Sequence, residues 1–484
     1  MTSATPRRSG LPLLLAVSSL GAVLAPLNST MIAVALPEIR HEFGLSHATA
    51  GWLISGYLIA MAVAQPLGGR LGDQIGRVRI FRIGLLAFLV LSIGAMLAPT
   101  FAVLVAFRMA QAVAGAVLIP NGMAMLRTGA PPERLGRLNG LNGSILSAAA
   151  ASGPLLGAAA LALGSWRLVF VLSLPFPIAA LILLPRLRLE EVRTTDRAPV
   201  DWLGTALFVG LLGGVTLQLS ALRDGQDPAT SAARWLAVVA IGAAFTWRQW
   251  VTPAPAAEWR LFRSRSFSAA TAFVLLTNLT MYTTLLMIPF FVKDVQGKST
   301  QLSGLLLGAM SICVAIIAPL GGRLSDAFGR RPLSLAGSAL ALVGAVALLS
   351  VLRTNTSAVS LAACLGLLGV GLGLGTGPSV TAAIESAPVG LAGSASGTSS
   401  MMRYVGSILG AGLLAGVLSN SAGGHADVST FRFVGLVVVS TAALACVAAA
   451  FLHTFPPRVI TSVDEDDAER AGPGELRVQA QDAS

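Results

Sequence analysis

Charge is scarce in this chain. Only 11% of its 484 residues are Asp, Glu, Lys or Arg, where a water-soluble domain carries about 25%. The apolar share is 54% and the mean hydropathy +0.76. No water-soluble core of this length can bury that much apolar surface, so an ordinary soluble globule is excluded. Acid is scarcer than base: 22 Asp and Glu against 33 Lys and Arg, a net charge of +11. Base in excess can signal nucleic acid. Here, however, the arginines fall in short clusters between apolar runs and form no patch, which fits orientation in a membrane better. Cysteine is nearly absent. Cys313, Cys364 and Cys446 all sit inside apolar runs, with neither disulfide nor metal spacing. The four histidines, His41, His47, His425 and His453, lie near the ends of apolar runs. They form no metal-spaced cluster and no His/Asp pair in the sequence, which argues against a membrane enzyme acting on lipids. No ATP-binding motif and no cofactor motif is present. Any energy must then come from an ion gradient or from a substrate's own gradient.

What is abundant is length and repetition of apolar sequence. A bilayer core needs roughly 20 apolar residues per helix, and about fourteen such runs can be counted. They fall near 11–36, 50–68, 80–98, 101–126, 138–163, 167–185, 202–222, 233–250, 268–292, 302–321, 333–352, 358–383, 395–419 and 430–453. The 52 glycines suit close helix contacts in lipid. The N-terminus, with Arg7-Arg8 before an apolar run, resembles a signal peptide. Its run is too long for one, and many spans follow, so retention is expected. Alternate loops are basic: Arg70, Arg77, Arg79 and Arg82 in one, Arg127, Arg134 and Arg137 in the next on that side, Arg323, Arg330 and Arg331 in a later one. About 23 cations fall on one side and about eight on the other, which makes the basic side cytoplasmic. An even number of spans then puts both termini there.

One nine-residue phrase occurs twice. Gly69–Arg77 reads GRLGDQIGR and Gly322–Arg330 reads GRLSDAFGR, each between two apolar runs. A charged, glycine-rich turn at equivalent places implies a duplicated helical bundle. The division expected is a first six-helix bundle over 1–190, a linker with two extra spans over 191–265, a second six-helix bundle over 266–456, and a disordered acidic tail over 457–484. Gly69, Asp73, Gly76 and Arg77, with Gly322, Asp326, Gly329 and Arg330, are candidate gating residues. Asp73 can cap a neighbouring helix, the helix dipole favouring negative charge at an N-terminus.

GRLGDQIGR resembles the signature loop of the major facilitator superfamily. Further phrases resemble that superfamily's fourteen-span drug:proton antiporters. They are Leu27–Pro37 (LNSTMIAVALP) in the first span, Trp52–Pro66 (WLISGYLIAMAVAQP) in the second and Arg108–Gln111 (RMAQ) in the fourth. Gly153-Pro154-Leu155-Leu156-Gly157 in the fifth and Ser165–Pro175 (SWRLVFVLSLP) at the sixth complete the set. The match covers nearly the whole chain except the tail. It implies an all-α integral membrane protein of two six-helix bundles related by a pseudo-two-fold axis, plus two extra linker helices. It also implies a non-enzymatic exporter of drug- or antibiotic-like amphipathic molecules. The departures are specific. Asn28 stands where the family usually has a first-span aspartate, and it cannot titrate. Ala112, Ala114 and Ala158 replace usual glycines, and Ala33 and Ser173 replace frequent asparagines.

No Asp or Glu lies well inside a span, whereas Arg108 and Arg403 look embedded. A charge at the centre of a bilayer costs about 2.5–3.5 kcal/mol on insertion scales, so it is a functional hypothesis by default. Neutral polar residues also fall inside spans: Asn28, Thr30, Tyr57, Gln65, Gln111, Asn121, Asn278 and Tyr282. Some must face a cavity, because lipid offers them no partner; others brace helices. Asn28 and Asn278, in corresponding first spans, rank highest. Gly153, Pro154 and Gly157 make a candidate kink. The expectation is a monomeric secondary transporter in the inner or plasma membrane, working by alternating access. Its partners are small molecules, membrane lipids and, if coupled, protons; no metal or nucleic acid is expected. Neutral or anionic substrates are favoured over multivalent cations. The alternatives are an uncoupled lipid or metabolite facilitator and a non-transporting sensor.

Overall fold

Each apolar run becomes a helix, because only a helix satisfies every backbone N–H and C=O within one segment in lipid. The computed structural model describes residues 10–187, 201–221, 228–252, 259–387, 392–419 and 427–453. The expected acidic tail lies outside them. Among the described residues there is no strand, and fourteen helices are long and apolar enough to cross a membrane. Span 1 is Leu11–Glu42, span 2 His47–Ile75, span 3 Arg77–Met96, span 4 Phe101–Gly129, span 5 Leu141–Ala162, span 6 Leu168–Arg186 and span 7 Trp202–Ser220. Span 8 is Ala229–Val251, span 9 Arg265–Val295, span 10 Thr300–Phe328, span 11 Arg330–Val351, span 12 Ala358–Glu385, span 13 Ala395–Leu418 and span 14 Val428–Ala450. Several begin on a side chain that caps the first turn: Ser46 accepts from Thr49 N–H at 3.1 Å, and Asp427 from Thr430 N–H at 3.0 Å.

The packing is duplicated. Span 1 packs on span 5, span 2 on span 4, and span 3 on spans 4 and 6. In the second half span 9 packs on span 13, span 10 on span 12, and span 11 on spans 12 and 14. The halves meet through span 5 against span 10 and span 2 against span 13, two seams exchanged by the same two-fold relation. Span 9 is the most buried helix of the fourteen, and span 8 the least. Span 7 lies along both span 2 and span 13, while span 8 packs chiefly on span 7. Phe208 stacks on Phe245 at 5.3 Å to join this outlying hairpin. Asp201, which caps span 7 by accepting from Gly204 N–H at 3.0 Å, also pairs with Arg248 at 3.0 Å. Burial alone would raise the Asp201 carboxyl. The Gly204, Arg248 and Thr252 donors outweigh it and hold the group below the usual carboxylate range.

Two boundaries differ from the expectation. Span 1 does not stop at 36; its helix runs through Pro37 to Glu42, so Glu38 and Glu42 sit on the helix end rather than beyond it. The repeated phrase is also no open turn. Both copies stay helical until one glycine, Gly76 at φ 117° and Gly329 at φ 92°, and the next helix starts at the following residue. Only glycine enters that region without strain, so the break is confined to a single residue.

Candidate substrate pathway and gates

The centre of the molecule is polar and buried. Arg108, on span 4, is 1% exposed. Its Nη1 donates to Gln111 Oε1 at 2.7 Å, Gln111 Nε2 donates to Ser92 Oγ at 2.7 Å, and Ser92 Oγ donates to Phe88 O at 2.7 Å. This chain of bonds ties Arg108 to span 3. The guanidinium lies 4.0 Å from the Tyr57 ring centroid and 5.9 Å from that of Phe170, and a cation over such a ring gains about 0.5–2 kcal/mol. Tyr57 Oη donates to Ala25 O at 3.2 Å, fixing that ring to span 1. Asn28 is fully buried, its Nδ2 donating to Leu24 O at 3.1 Å. Next to it, Ser29 and Tyr282 share a 3.0 Å hydrogen bond between spans 1 and 9.

Other polar residues named from the sequence act as braces here. Thr30 Oγ1 donates to Ala150 O at 3.1 Å, joining spans 1 and 5. Asn121 Nδ2 donates to Gly68 O at 2.8 Å, joining spans 4 and 2. Asn278 Nδ2 bonds its own helix, at Val274 O, 2.8 Å away. Gln65 is half-buried, and Arg403, which looked embedded, is exposed.

Gly153-Pro154 leaves span 5 a continuous helix. Its glycines serve close approach: a Cβ on Gly153 would overlap Thr30 Oγ1, and one on Gly157 would sit 2.7 Å from Met31 O. Pro154 O and Leu155 face Gly304 and Gly308 of span 10, so the motif is sandwiched between its own bundle and the other. Sequence reading missed its counterpart. Gly406 and Gly410 of span 13 meet Leu275 O and Leu279 O of span 9 in the same way. The signal was the shared four-residue glycine spacing in corresponding helices.

Ion pairs differ at the two ends. At the end carrying the repeated phrase, Asp73 pairs with Arg77 at 3.0 Å. Arg330 pairs with Asp326 and, at 3.0 Å, with Glu385. All of these stay within one half. At the opposite end Arg167 pairs with Glu42 within the first half at 2.8 Å, and further pairs cross. Lys293 Nζ donates to Glu38 Oε1 at 2.9 Å and Thr300 Oγ1 to the same oxygen at 2.7 Å. Asp294 meets Arg40 at 3.4 Å and His47 Nε2 at 3.2 Å, its side chain only 3% exposed. The His/Asp pair absent from the sequence is made by the fold.

Two helical halves of the same orientation around a buried polar centre, latched across one end, define a membrane transporter rather than an enzyme. Residues 18–411 match the Major Facilitator Superfamily, and the chain belongs to that superfamily. It is 34% identical over 440 residues to the uncharacterized MFS-type transporter YwoD of Bacillus subtilis (strain 168), covering 90% of this chain and 95% of that one. It is 28% identical over 417 residues to the tetracenomycin C resistance and export protein of Streptomyces glaucescens, covering 85% and 76%. The fold is similar to that of a bacterial homolog of the human lysosomal transporter Spinster in an inward-facing, unoccupied conformation. The TM-score is 0.64 at 18% identity, covering 93% of this chain and 97% of that one.

Proposed function

We propose that this transporter exports amphipathic small molecules, neutral or anionic in preference to multivalent cations, by alternating access across the plasma membrane, with both termini and the repeated phrase on the cytoplasmic side. The observation that carries the substrate preference is the buried Arg108, set among Tyr57, Gln111 and the neutral Asn28. A dication entering such a centre finds no counter-ion, and an unpaired buried charge is costly. The export direction is supported by the relative whose name records export, and the sidedness by the clustering of arginine in alternate loops. In this reading the molecule is closed to the outside, and Asn28, Thr30, Tyr57, Gln65, Gln111, Asn121, Asn278, Tyr282 and Arg403 line or brace the pathway around Arg108.

Asn28 favours a second reading, a facilitator without proton coupling through span 1, because an amide carries no proton. Coupling, where it exists, then runs through Asp73, Glu385 or the substrate itself. Flux in proteoliposomes, with cationic, neutral and anionic compounds and with or without a pH gradient, separates the readings. Arg108→Ala is expected to abolish flux with protein abundance maintained. Tight transport of quaternary-ammonium dications, or full activity in that variant, overturns the preference.

A further inference from the structure

Arg108 is only half used. Its Nη1 is engaged by Gln111, while Nε and Nη2, both buried, have no hydrogen-bond partner among the described residues. These two N–H groups lie on one edge of the guanidinium and point in parallel, the fork that matches the two oxygens of a carboxylate. Tyr57 covers a face of the same group at 4.0 Å, leaving the edge, in the plane, as the place for an acceptor. Leaving a buried N–H without an acceptor costs about 1–3 kcal/mol, more on a charged group, so an open fork at 1% exposure calls for an acceptor that the described residues do not supply.

The surroundings say what body the acid carries. The chain has only three tyrosines in 484 residues. Tyr57, Tyr282 and Tyr404 come from spans 2, 9 and 13, yet they lie within electrostatic reach of one another, and Tyr57 and Tyr282 of Arg108. Arg403 lies within electrostatic reach of Tyr282 and Tyr404. Arg403 is exposed and Tyr404 half-buried, while Tyr282 is 7% and Arg108 1% exposed. Tyr282 thus feels two guanidiniums, one exposed and one buried. Aromatic faces hold planar aromatic bodies by offset or edge contacts, and the buried Arg108, with no acid among its electrostatic partners within the described residues, selects a negative charge.

We propose that the central site binds aromatic carboxylates, the carboxylate held on the Nε–Nη2 edge of Arg108 and the ring system among Tyr57, Tyr282 and Tyr404. This rests on the transport reading above and names its substrate class.

The test uses the full chain in lipid nanodiscs and four probes: anthracene-9-carboxylate, its methyl ester, 9-(aminomethyl)anthracene and cyclohexanecarboxylate. A site built to hydrogen-bond one group rejects an analogue lacking it strongly. Anthracene-9-carboxylate should therefore bind at least about tenfold tighter than its ester, than the amine and than the non-aromatic acid. In Arg108→Lys, a point charge without a fork, the preference for acid over ester should collapse towards unity. Equal or tighter binding of the ester or amine by the wild type overturns the proposal without any variant. So does an acid preference that survives Arg108→Lys. Equal binding of the two acids overturns its aromatic part. Counterflow in proteoliposomes separates the two levels: binding with the expected preference but no flux of any probe leaves the fork standing and fells the export reading. Flux of ester and amine without acid preference does the reverse.

Discussion

The two ends of this molecule use the same kinds of residue to opposite purposes. Where the duplicated phrase lies, Asp73–Arg77 and Asp326–Arg330–Glu385 each close on their own half. At the other end Glu38–Lys293 and Arg40–Asp294–His47 reach from one half to the other. A pair within a half moves with it and resists nothing when the halves rock. A pair between halves must break. The crossing pairs latch their end in this conformation, and mutations there should act on a different quantity from mutations of the local pairs.

The largest effect should come from making the latch permanent. With Cys313, Cys364 and Cys446 replaced by serine, Glu38→Cys with Lys293→Cys under oxidation should lower flux more than about tenfold, since the proposed alternating access requires one bundle to rock against the other. Reductant should restore it, and undiminished flux in the cross-linked protein would refute the latch. Next, Asp294→Asn strips Arg40 and His47 of a carboxylate that is 3% exposed. Breaking a buried pair costs about 3–5 kcal/mol, enough to move the two-state balance by tenfold or more towards opening at that end. Spin labels at His41 and Lys298 should report a longer distance population; an unchanged distribution would count against the comparison. Asp73→Asn should be milder. Its exposed pair with Arg77 is local, worth about 0.3–0.5 kcal/mol, so flux should drop with membrane abundance intact, and Asp326→Asn should matter less still. A loss deeper than that of Asp294→Asn would reverse the ranking. The smallest effect concerns the outlying hairpin. Asp201 is held below the usual carboxylate range, so its contribution is complete at neutral pH and is lost as pH falls through its lowered value, below about pH 4. Asp201→Asn should cost about 1 kcal/mol at neutral pH and nothing in acid, as read from thermal unfolding in detergent at both values.

The helical architecture was legible because a bilayer demands long apolar runs and the duplicated phrase marks the same place in each half. The latch was not. Arg40 and Asp294 are 254 residues apart, and Lys293 and Glu38 are 255 apart; no local pattern pairs them. Charged residues after Pro37 read as loop, which hid the helix that carries Glu38 and Arg40 to their partners. Arg108 was legible as a charge inside an apolar run, but its open edge was not, since that depends on which of its nitrogens Gln111 occupies. Thr30 and Asn121 could not be told from cavity residues by position alone, because a polar side chain in a span looks the same whether it faces a void or a neighbour's carbonyl. The glycine pair Gly406 and Gly410 was readable and overlooked.

Span 7, which belongs to neither half, leans on both at once, along span 2 and span 13, with Leu219 O against Gly416. It therefore shields one of the two lateral seams from the surrounding hydrocarbon, while the seam between spans 5 and 10 has no comparable helix over it among the described residues. A compound dissolved in the membrane meets an asymmetric wall, sealed on one flank and bare on the other. A lateral opening to the lipid is therefore expected on the flank of spans 5 and 10 rather than under span 7.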